Sequence, residues 1–326
     1  MKSIIVEKPG DYTVLKIKNI ETPKPTKSQV LIKVAYCSLN PLDTHSRAAR
    51  VSWGAPKMPY TPGYEFAGRI VSIGENLSNE LIGKRVSVVG SWGGNAEYAI
   101  SDIKNIINVP NEFDWKLASC FATCAPTAWH LVNSAGKVKP NHNIVIHSAA
   151  GAVGILTAQI AKEKGAKIYG LVGSKSRETY AKRFPYDNII NRNECNWDEK
   201  IKDLTKEKGA DIIFDGVAGS EAPSNYKAIA PLGNVIYIGQ MGGPPPQLNI
   251  SEIIGKSFSV TGFVQFFHQI QSNYQENKEI FSKLSKKVWK IPIEKISELE
   301  DIPDLHRDFE DRKLLGKTLI KVGGDV

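Results

Sequence analysis

The chain reads as an α/β protein: a β-rich, barrel-like domain comes first, and a domain built on a doubly wound parallel sheet follows. Three observations predict this. The 326 residues suffice for about two domains. Up to about residue 120, short apolar runs are separated by Pro and Gly turns without regular helices between them. From about residue 121, apolar strands and amphipathic helices alternate.

In residues 1–120 the runs "QVLIKVAY", "AGRIVSI" and "KRVSVVG" are bounded by "NPLD", "MPYTPGYE" and "SWGGN". Strands punctuated by such turns, with no helical crossovers, close best into a compact antiparallel barrel. In residues 121–265, "NIVIHS" precedes "AVGILTAQIAKEKG" and "KIYGLVGS" precedes "SRETYAKRF"; "DNII", "DIIFDGV" and "NVIYIG" follow. Near-continuous apolar strands with helices between them imply a parallel sheet covered on both faces. The helix after Ala152 sets Val153, Leu156 and Ile160 on one face and stops at Gly165. Residues 266–326 are too short to fold alone and are expected to return and complete the first domain.

Composition narrows the function. With 41% hydrophobic and 23% charged residues the chain is ordinary for a globular protein, and it has no run of about 18 apolar residues. Its start, "MKSIIVEKPG", lacks a signal peptide's apolar stretch. Cys37, Cys120, Cys124 and Cys195 form no C-x-x-C pair, and none pairs in sequence with a His as a nucleophile would. A cytoplasmic protein is expected, with no membrane contact. The formal charge of +8 is spread among acids, and "KLSKKVWK" at 283–290 reads as the solvated face of a helix. No specific nucleic-acid partner is expected.

The chemistry is written around "VIHSAAGAVGIL", residues 145–156. At the spacing of G-x-G-x-x-G it offers Ala149, Gly151 and Gly154, between a strand and a helix. There the amides of Ala150, Gly151, Ala152 and Val153 can hold a pyrophosphate at a helix N-terminus. Gly151 allows close backbone approach, and Gly154 allows tight helix packing. Ala149 is acceptable while its φ stays negative. About 20 residues on, an NAD site places an acid against the ribose 2′-hydroxyl. This chain has Ser174, followed by Lys175 and Arg177, with Arg192 after the next strand. Hydroxyl and cationic groups without a carboxylate suit a 2′-phosphate, so NADPH is the expected cofactor.

With "SLNPLDTHSR", "PYTPGYEFAGRIVSIG", "PTAWHLV", "GADIIFDGVAG", "GNVIYIGQMGG" and "LHRDFEDRKLLGKTLIKV" in this order, the sequence resembles a zinc-independent medium-chain dehydrogenase/reductase of the quinone oxidoreductase (zeta-crystallin-like) family. The resemblance implies a GroES-like barrel, a Rossmann domain, substrate in the cleft between them, and a homodimer joined near "FSVTGF". It implies that Asn40 and Asp43 face the nicotinamide, that Thr127 touches its ring, and that Tyr64 is a candidate proton donor. It also brings Gly239, Gln240 and Met241 to the nicotinamide ribose, Phe263 to the carboxamide, and Lys317, more faintly, to the cofactor. Where zinc-dependent relatives have a Cys and a His, this chain has Asn40 and Tyr64, so no metal is expected. Two departures are Pro126 before Thr127, and Arg192 where a Tyr is usual.

The expected activity is hydride transfer from NADPH to a quinone or an α,β-unsaturated carbonyl compound, with Asn40 offering an amide N–H and Thr127 a hydroxyl. Two alternatives are a short-chain enoyl-thioester (acryloyl- or crotonyl-CoA-type) reductase and a non-catalytic NADPH- and RNA-binding protein. His45, His130, His142, His147, His268 and His306 show no ligand spacing; His147, just before the fingerprint, is the one expected near cofactor.

Overall fold

The computed structural model describes residues 1–50, 56–324 and 326. The chain divides into two compact units, Met1–Thr123 with Ile291–Val326, and Cys124–Lys290.

Among its described residues the first unit carries β1 (Lys2–Val6), β2 (Leu15–Asn19), β3 (Gln29–Ser38), β4 (Glu65–Ile73), β5 (Arg85–Val89), β6 (Tyr98–Asp102) and β7 (Ile106–Asn108), joined late in the chain by β14 (Ile293–Glu298) and β15 (Lys317–Lys321). The strand β3 is the spine. It pairs antiparallel with β4 along its length, with β6 over Gln29–Lys33 and with β15 over Tyr36–Ser38. Its residues are mostly buried on both faces, which is why "QVLIKVAY" is nearly all apolar. The β3/β4 register shifts twice, and at the bend Gly68 lets β4 pass against the Lys33 carbonyl, where any Cβ would collide. Ile4, Val30, Ile32, Val34, Phe66, Ile70, Val86, Val88 and Leu305 fill the core.

The second unit is built on six parallel strands: β8 (Asn143–Ile146), β9 (Lys167–Val172), β10 (Asn188–Asn191), β11 (Ala210–Asp215), β12 (Ile229–Tyr237) and β13 (Ser259–Gly262). Their spatial order is β10-β9-β8-β11-β12-β13. Helix Ala152–Glu163 leaves β8, and helix Lys175–Ala181 leaves β9. The chain's direction across the sheet reverses at β8, which is buried at every position. Such a switch point, at the carboxyl ends of the strands, is where doubly wound folds bind ligands.

One expected boundary moves. The return to the first unit begins at Ile291 rather than residue 266, because helices Gln265–Ser272 and Glu276–Ser285 stay with the second unit. Polar contacts hold them there. Trp129 Nε1 donates to Glu279 (2.8 Å), Lys283 pairs with Glu163 (3.0 Å), and Gln159 Nε2 donates to the Lys290 carbonyl (3.0 Å).

Candidate active site

The turn after β8 shows how the fingerprint works without its first glycine. The left-handed residue there is Ser148 (φ 53°), and Ala149 does not share that conformation. Ala149 is fully buried, its N–H donating to the Leu171 carbonyl and its carbonyl accepting from the Tyr186 hydroxyl. Its methyl occupies the space left by Gly170 in β9, where an added Cβ would come within 2.8 Å of it. The glycine absent from position 149 is thus matched by one on the neighbouring strand. Gly151 is the N-cap of helix Ala152–Glu163, in extended conformation (φ −91°). A Cβ on Gly154 would sit 2.7 Å from the Ser148 carbonyl, so this position keeps the turn against the helix. Ala150, Gly151, Ala152 and Val153 lie at that helix start, as expected.

At the ends of β9 and β10 the expected basic residues separate. The Arg192 guanidinium lies beside Gly173, where an added Cβ would be 3.4 Å from Nη2. Ser174, the next residue, caps helix Lys175–Ala181 by accepting the Arg177 N–H. Lys175 points elsewhere: its ammonium pairs with Glu178 (2.9 Å), which Lys182 also grips, so Lys175 is part of an exposed helix-surface triad. Arg192 is the cationic side chain that lies against the end of β9, beside Gly173.

After β12 the loop carrying Gly239, Gln240 and Met241 packs backbone to backbone on the loop after β11. Met241 N–H donates to Gly216 O and Gly242 N–H to Val217 O (2.7 Å). Asp215 stiffens that second loop, accepting from Val217 N, Ala218 N and Asn225 Nδ2. The Asn225 carbonyl oxygen then bonds His147 Nε2 (2.8 Å), which must carry the proton because the Asn225 amide donates to Asp215. Burial holds His147 below its ordinary imidazole range. His147 therefore supports the loops from beneath the sheet ends, a role shared by Asp215 and Asn225, which sequence reasoning missed although "FDGV" was in view.

Thr127 is nearly buried, and its hydroxyl donates to Gln265 Oε1, while Gln265 donates to Gln269. Helix Phe121–His130 runs through Pro126 without interruption. Phe263 is buried with its ring stacked on His268 (centroids 4.9 Å apart), whereas Phe267 is 67% exposed.

The first unit holds a buried polar network around Asn40, at the start of helix Pro41–Arg47. Asn40 Nδ2 donates to the Ser38 carbonyl (3.2 Å) and to Glu65 Oε2 (2.9 Å). Lys317 Nζ donates to Asn40 Oδ1, Ser38 Oγ and Glu65 Oε2, each at 2.8 Å. Two expectations change here. Lys317 spends its three ammonium hydrogens inside the barrel, not on a cofactor. Asn40 spends both amide hydrogens on Ser38 and Glu65, so it has none left for a substrate oxygen. Glu65, missed in the sequence though it sits in "PGYEFAG", also accepts the Thr123 N–H through Oε1.

Asp43 accepts the N–H groups of Asn40, Gly63 and Tyr64 (2.9, 3.0 and 3.1 Å) and clamps the Pro-Gly turn to the helix. Complete burial nevertheless pushes its carboxyl up to about 6, against those three bonds. Burial, then the charges of Asp43 and Glu65, hold the Tyr64 phenol above its ordinary range, and its ring leans on Trp92 (5.2 Å).

Comparison with known proteins first defines the class. Residues 26–111 match the alcohol dehydrogenase GroES-like domain family, and residues 152–282 match the zinc-binding dehydrogenase family. Quinone oxidoreductase of the pig, Sus scrofa, is 30% identical over 324 residues, covering 98% of this chain and 97% of that protein. The Pseudomonas syringae quinone oxidoreductase structure matches with a TM-score of 0.90 at 25% identity, over 98% of this chain and 99% of that one. The Escherichia coli quinone oxidoreductase, solved in complex with NADPH, shares the fold with a TM-score of 0.91 at 22% identity, over 98% and 100% of the two chains. The chain belongs to the quinone oxidoreductase family of zinc-independent medium-chain dehydrogenases/reductases, and it is an oxidoreductase.

One matching family is described as zinc-binding, so the donor set has to be tested against zinc. Asn40 contributes an amide already engaged on every N–H, and Tyr64 a neutral phenol. Glu65 next to them is neutralised by the Lys317 ammonium at 2.8 Å. Zinc takes thiolates, imidazoles and available carboxylates, and this set does not fit it.

Proposed function

We propose that this chain transfers hydride from NADPH to a quinone or an α,β-unsaturated carbonyl compound, without a metal. The observation that carries the cofactor choice is the end of β9: Ser174 stands where a ribose-binding acid would be, with the Arg192 guanidinium alongside Gly173. An arginine and a hydroxyl hold a 2′-phosphate by charge-assisted bonds, and a carboxylate would repel it. The E. coli relative's complex with NADPH agrees with this reading. The amides from Ala150 to Val153 bind the pyrophosphate at the switch point, and Gly239–Met241 line the ribose side.

The nicotinamide, when bound, supplies the hydride, and the acceptor's oxygen becomes anionic. Tyr64, kept protonated by its burial, gives that oxygen a hydrogen bond and then a proton from Oη, which water replaces. Thr127, its proton committed to Gln265, presents oxygen lone pairs to the nicotinamide. The pig relative's name favours a quinone as acceptor over an enoyl thioester. A cytoplasmic location is part of the same reading. A homodimer through the free edge of β13 is part of the same reading.

Oxidation of NADPH and NADH by the full chain, with 1,4-benzoquinone and crotonyl-CoA as acceptors, tests it. NADPH turnover with the quinone is expected. Arg192→Ala should raise the KM for NADPH about 10- to 100-fold and leave NADH unchanged, as for loss of a charged hydrogen bond. Equal use of both cofactors would sink the 2′-phosphate assignment. NADPH binding with no turnover would favour the non-catalytic reading.

A further inference from the structure

In the second unit β8, β11 and β12 are parallel neighbours, so their carboxyl ends lie side by side at the switch point. Beyond β11 the chain makes a costly turn. Ala218 is held at φ 53° and ψ −134°, a conformation that a Cβ disfavours and that glycine takes freely. Gly219 follows with φ 64°, so two successive residues carry positive φ. An alanine keeps such a conformation only where its surroundings over-determine it.

The side chain that fixes this turn is Asp215, which is fully buried. Its Oδ1 accepts the N–H groups of Val217 (2.7 Å) and Ala218 (3.0 Å), so the peptide entering Ala218 is pinned. Its Oδ2 accepts Asn225 Nδ2 (2.7 Å), and Asn225 Oδ1 accepts His147 Nε2 (2.8 Å), the residue just before left-handed Ser148. The loop Gly239–Gly243 is seated on the strained turn. Gly242 N–H donates to the Val217 carbonyl (2.7 Å) and Met241 N–H to the Gly216 carbonyl (3.2 Å). Gly219 lies so close to the Gly242 carbonyl that any Cβ there would collide with it.

We infer that Asp215 is a positioning residue for the dinucleotide: it holds the strained turn at Ala218, which seats loop Gly239–Gly243 in its cofactor-binding arrangement, while Asn225 and His147 tie that turn to the one after β8. This rests on the proposed NADPH binding and deepens it, by naming what fixes the ribose-side loop. The three side chains act through backbone and need no contact with the cofactor, since Asp215 and Asn225 are fully buried and His147 is 3% exposed.

Calorimetric titration of the full chain with NADP+ tests this, with the thermal midpoint of each variant as the check on folding. Asp215→Ala removes both loop bonds and should raise the Kd for NADP+ about 10- to 100-fold, the size of the strain no longer held. In an Ala218→Gly chain the turn carries no such strain, so the same Asp215→Ala change should cost less than about threefold there. A general supporting role in the core would weaken binding equally in both backgrounds, and that result overturns the inference. Gly219→Ala tests the link from the loop side with Asp215 intact, and it stands in where Asp215→Ala does not fold. Its methyl meets the Gly242 carbonyl and should weaken NADP+ binding about tenfold. An unchanged Kd in either folded variant, Asp215→Ala or Gly219→Ala, overturns the positioning role while the proposed cofactor stands. A parent chain that binds no NADP+ overturns the proposed cofactor and this inference with it.

Discussion

Asp43 is a carboxylate whose environment works against its charge. Three backbone N–H groups stabilise the ionised form, yet full burial outweighs them and lifts its pKa to about 6. Between an ordinary value of about 4 and this one, the folded chain holds a proton that the unfolded chain has released. Linkage then requires stability from this residue to be fully present below about pH 4 and lost as pH rises through about 6, an effect of up to about 3 kcal/mol. The urea midpoint of the parent relative to Asp43→Asn should therefore increase as pH is lowered from about 7 to 4. A constant difference would show that the three hydrogen bonds dominate and that the carboxyl is not raised. At the same scale, Asn40 shows what a sequence hides: its residue type was identified, but the direction in which its amide is turned depends on Glu65 and Lys317.

The element that matters most is the turn between β8 and helix Ala152–Glu163. A missing glycine there looks like a defect when the motif is read alone. In the fold, Ser148 takes the left-handed conformation, and Gly170 on β9 makes room for the Ala149 methyl. Ala149→Gly should then leave NADPH affinity within about twofold and lower stability by up to about 1 kcal/mol, through greater freedom of the unfolded chain. Gly154→Ala should behave differently. Its methyl would meet the Ser148 carbonyl at 2.7 Å, and backbone cannot step aside as a side chain does. A loss of about 1–3 kcal/mol in thermal or urea unfolding is expected, with weaker NADPH binding by fluorescence titration. Retention of both properties would show that the turn relaxes freely. The strand-then-helix context of this turn was legible because it is local; the compensation from Gly170 was not, since it depends on how β9 lies beside β8.

For the whole molecule, the alternation of strands and helices led to the right two architectures. It misjudged where the chain returns to the first unit. Residues 266–290 read as part of the return because their aromatic and lysine-rich pattern matches neither a strand repeat nor a sheet-covering helix. Their place in the second unit comes from Trp129–Glu279, Lys283–Glu163 and Thr127–Gln265, contacts over 100 residues apart. At this scale belongs the proposed dimer. The edge strand β13 pairs on one side with β12, and exposed Ile250, Ile254 and Phe267 lie in the segments before and after it. Such an edge is a template for another chain. Sedimentation should give twice the 35.9 kDa chain mass, and Ser259→Lys, at an exposed position of that strand, should shift the chain towards monomer. A monomeric parent chain would refute the edge pairing.

What the sequence determined by itself was what short-range chemistry decides. It set the strand and helix order, the glycine turn at a helix start, and the absence of an acid after the second strand of the nucleotide fold. Each of these is a statement about neighbours in the chain. Only the tertiary structure decided that Lys317 and Glu65, 252 residues apart, form one buried ion pair, that the Asn40 amide oxygen faces Lys317, and that Lys175 serves a helix surface while Arg192 lies beside Gly173. Hydrogen-bond polarity in a buried site is set by whichever partners the fold brings within about 3 Å, and residue types listed along a chain do not contain those distances.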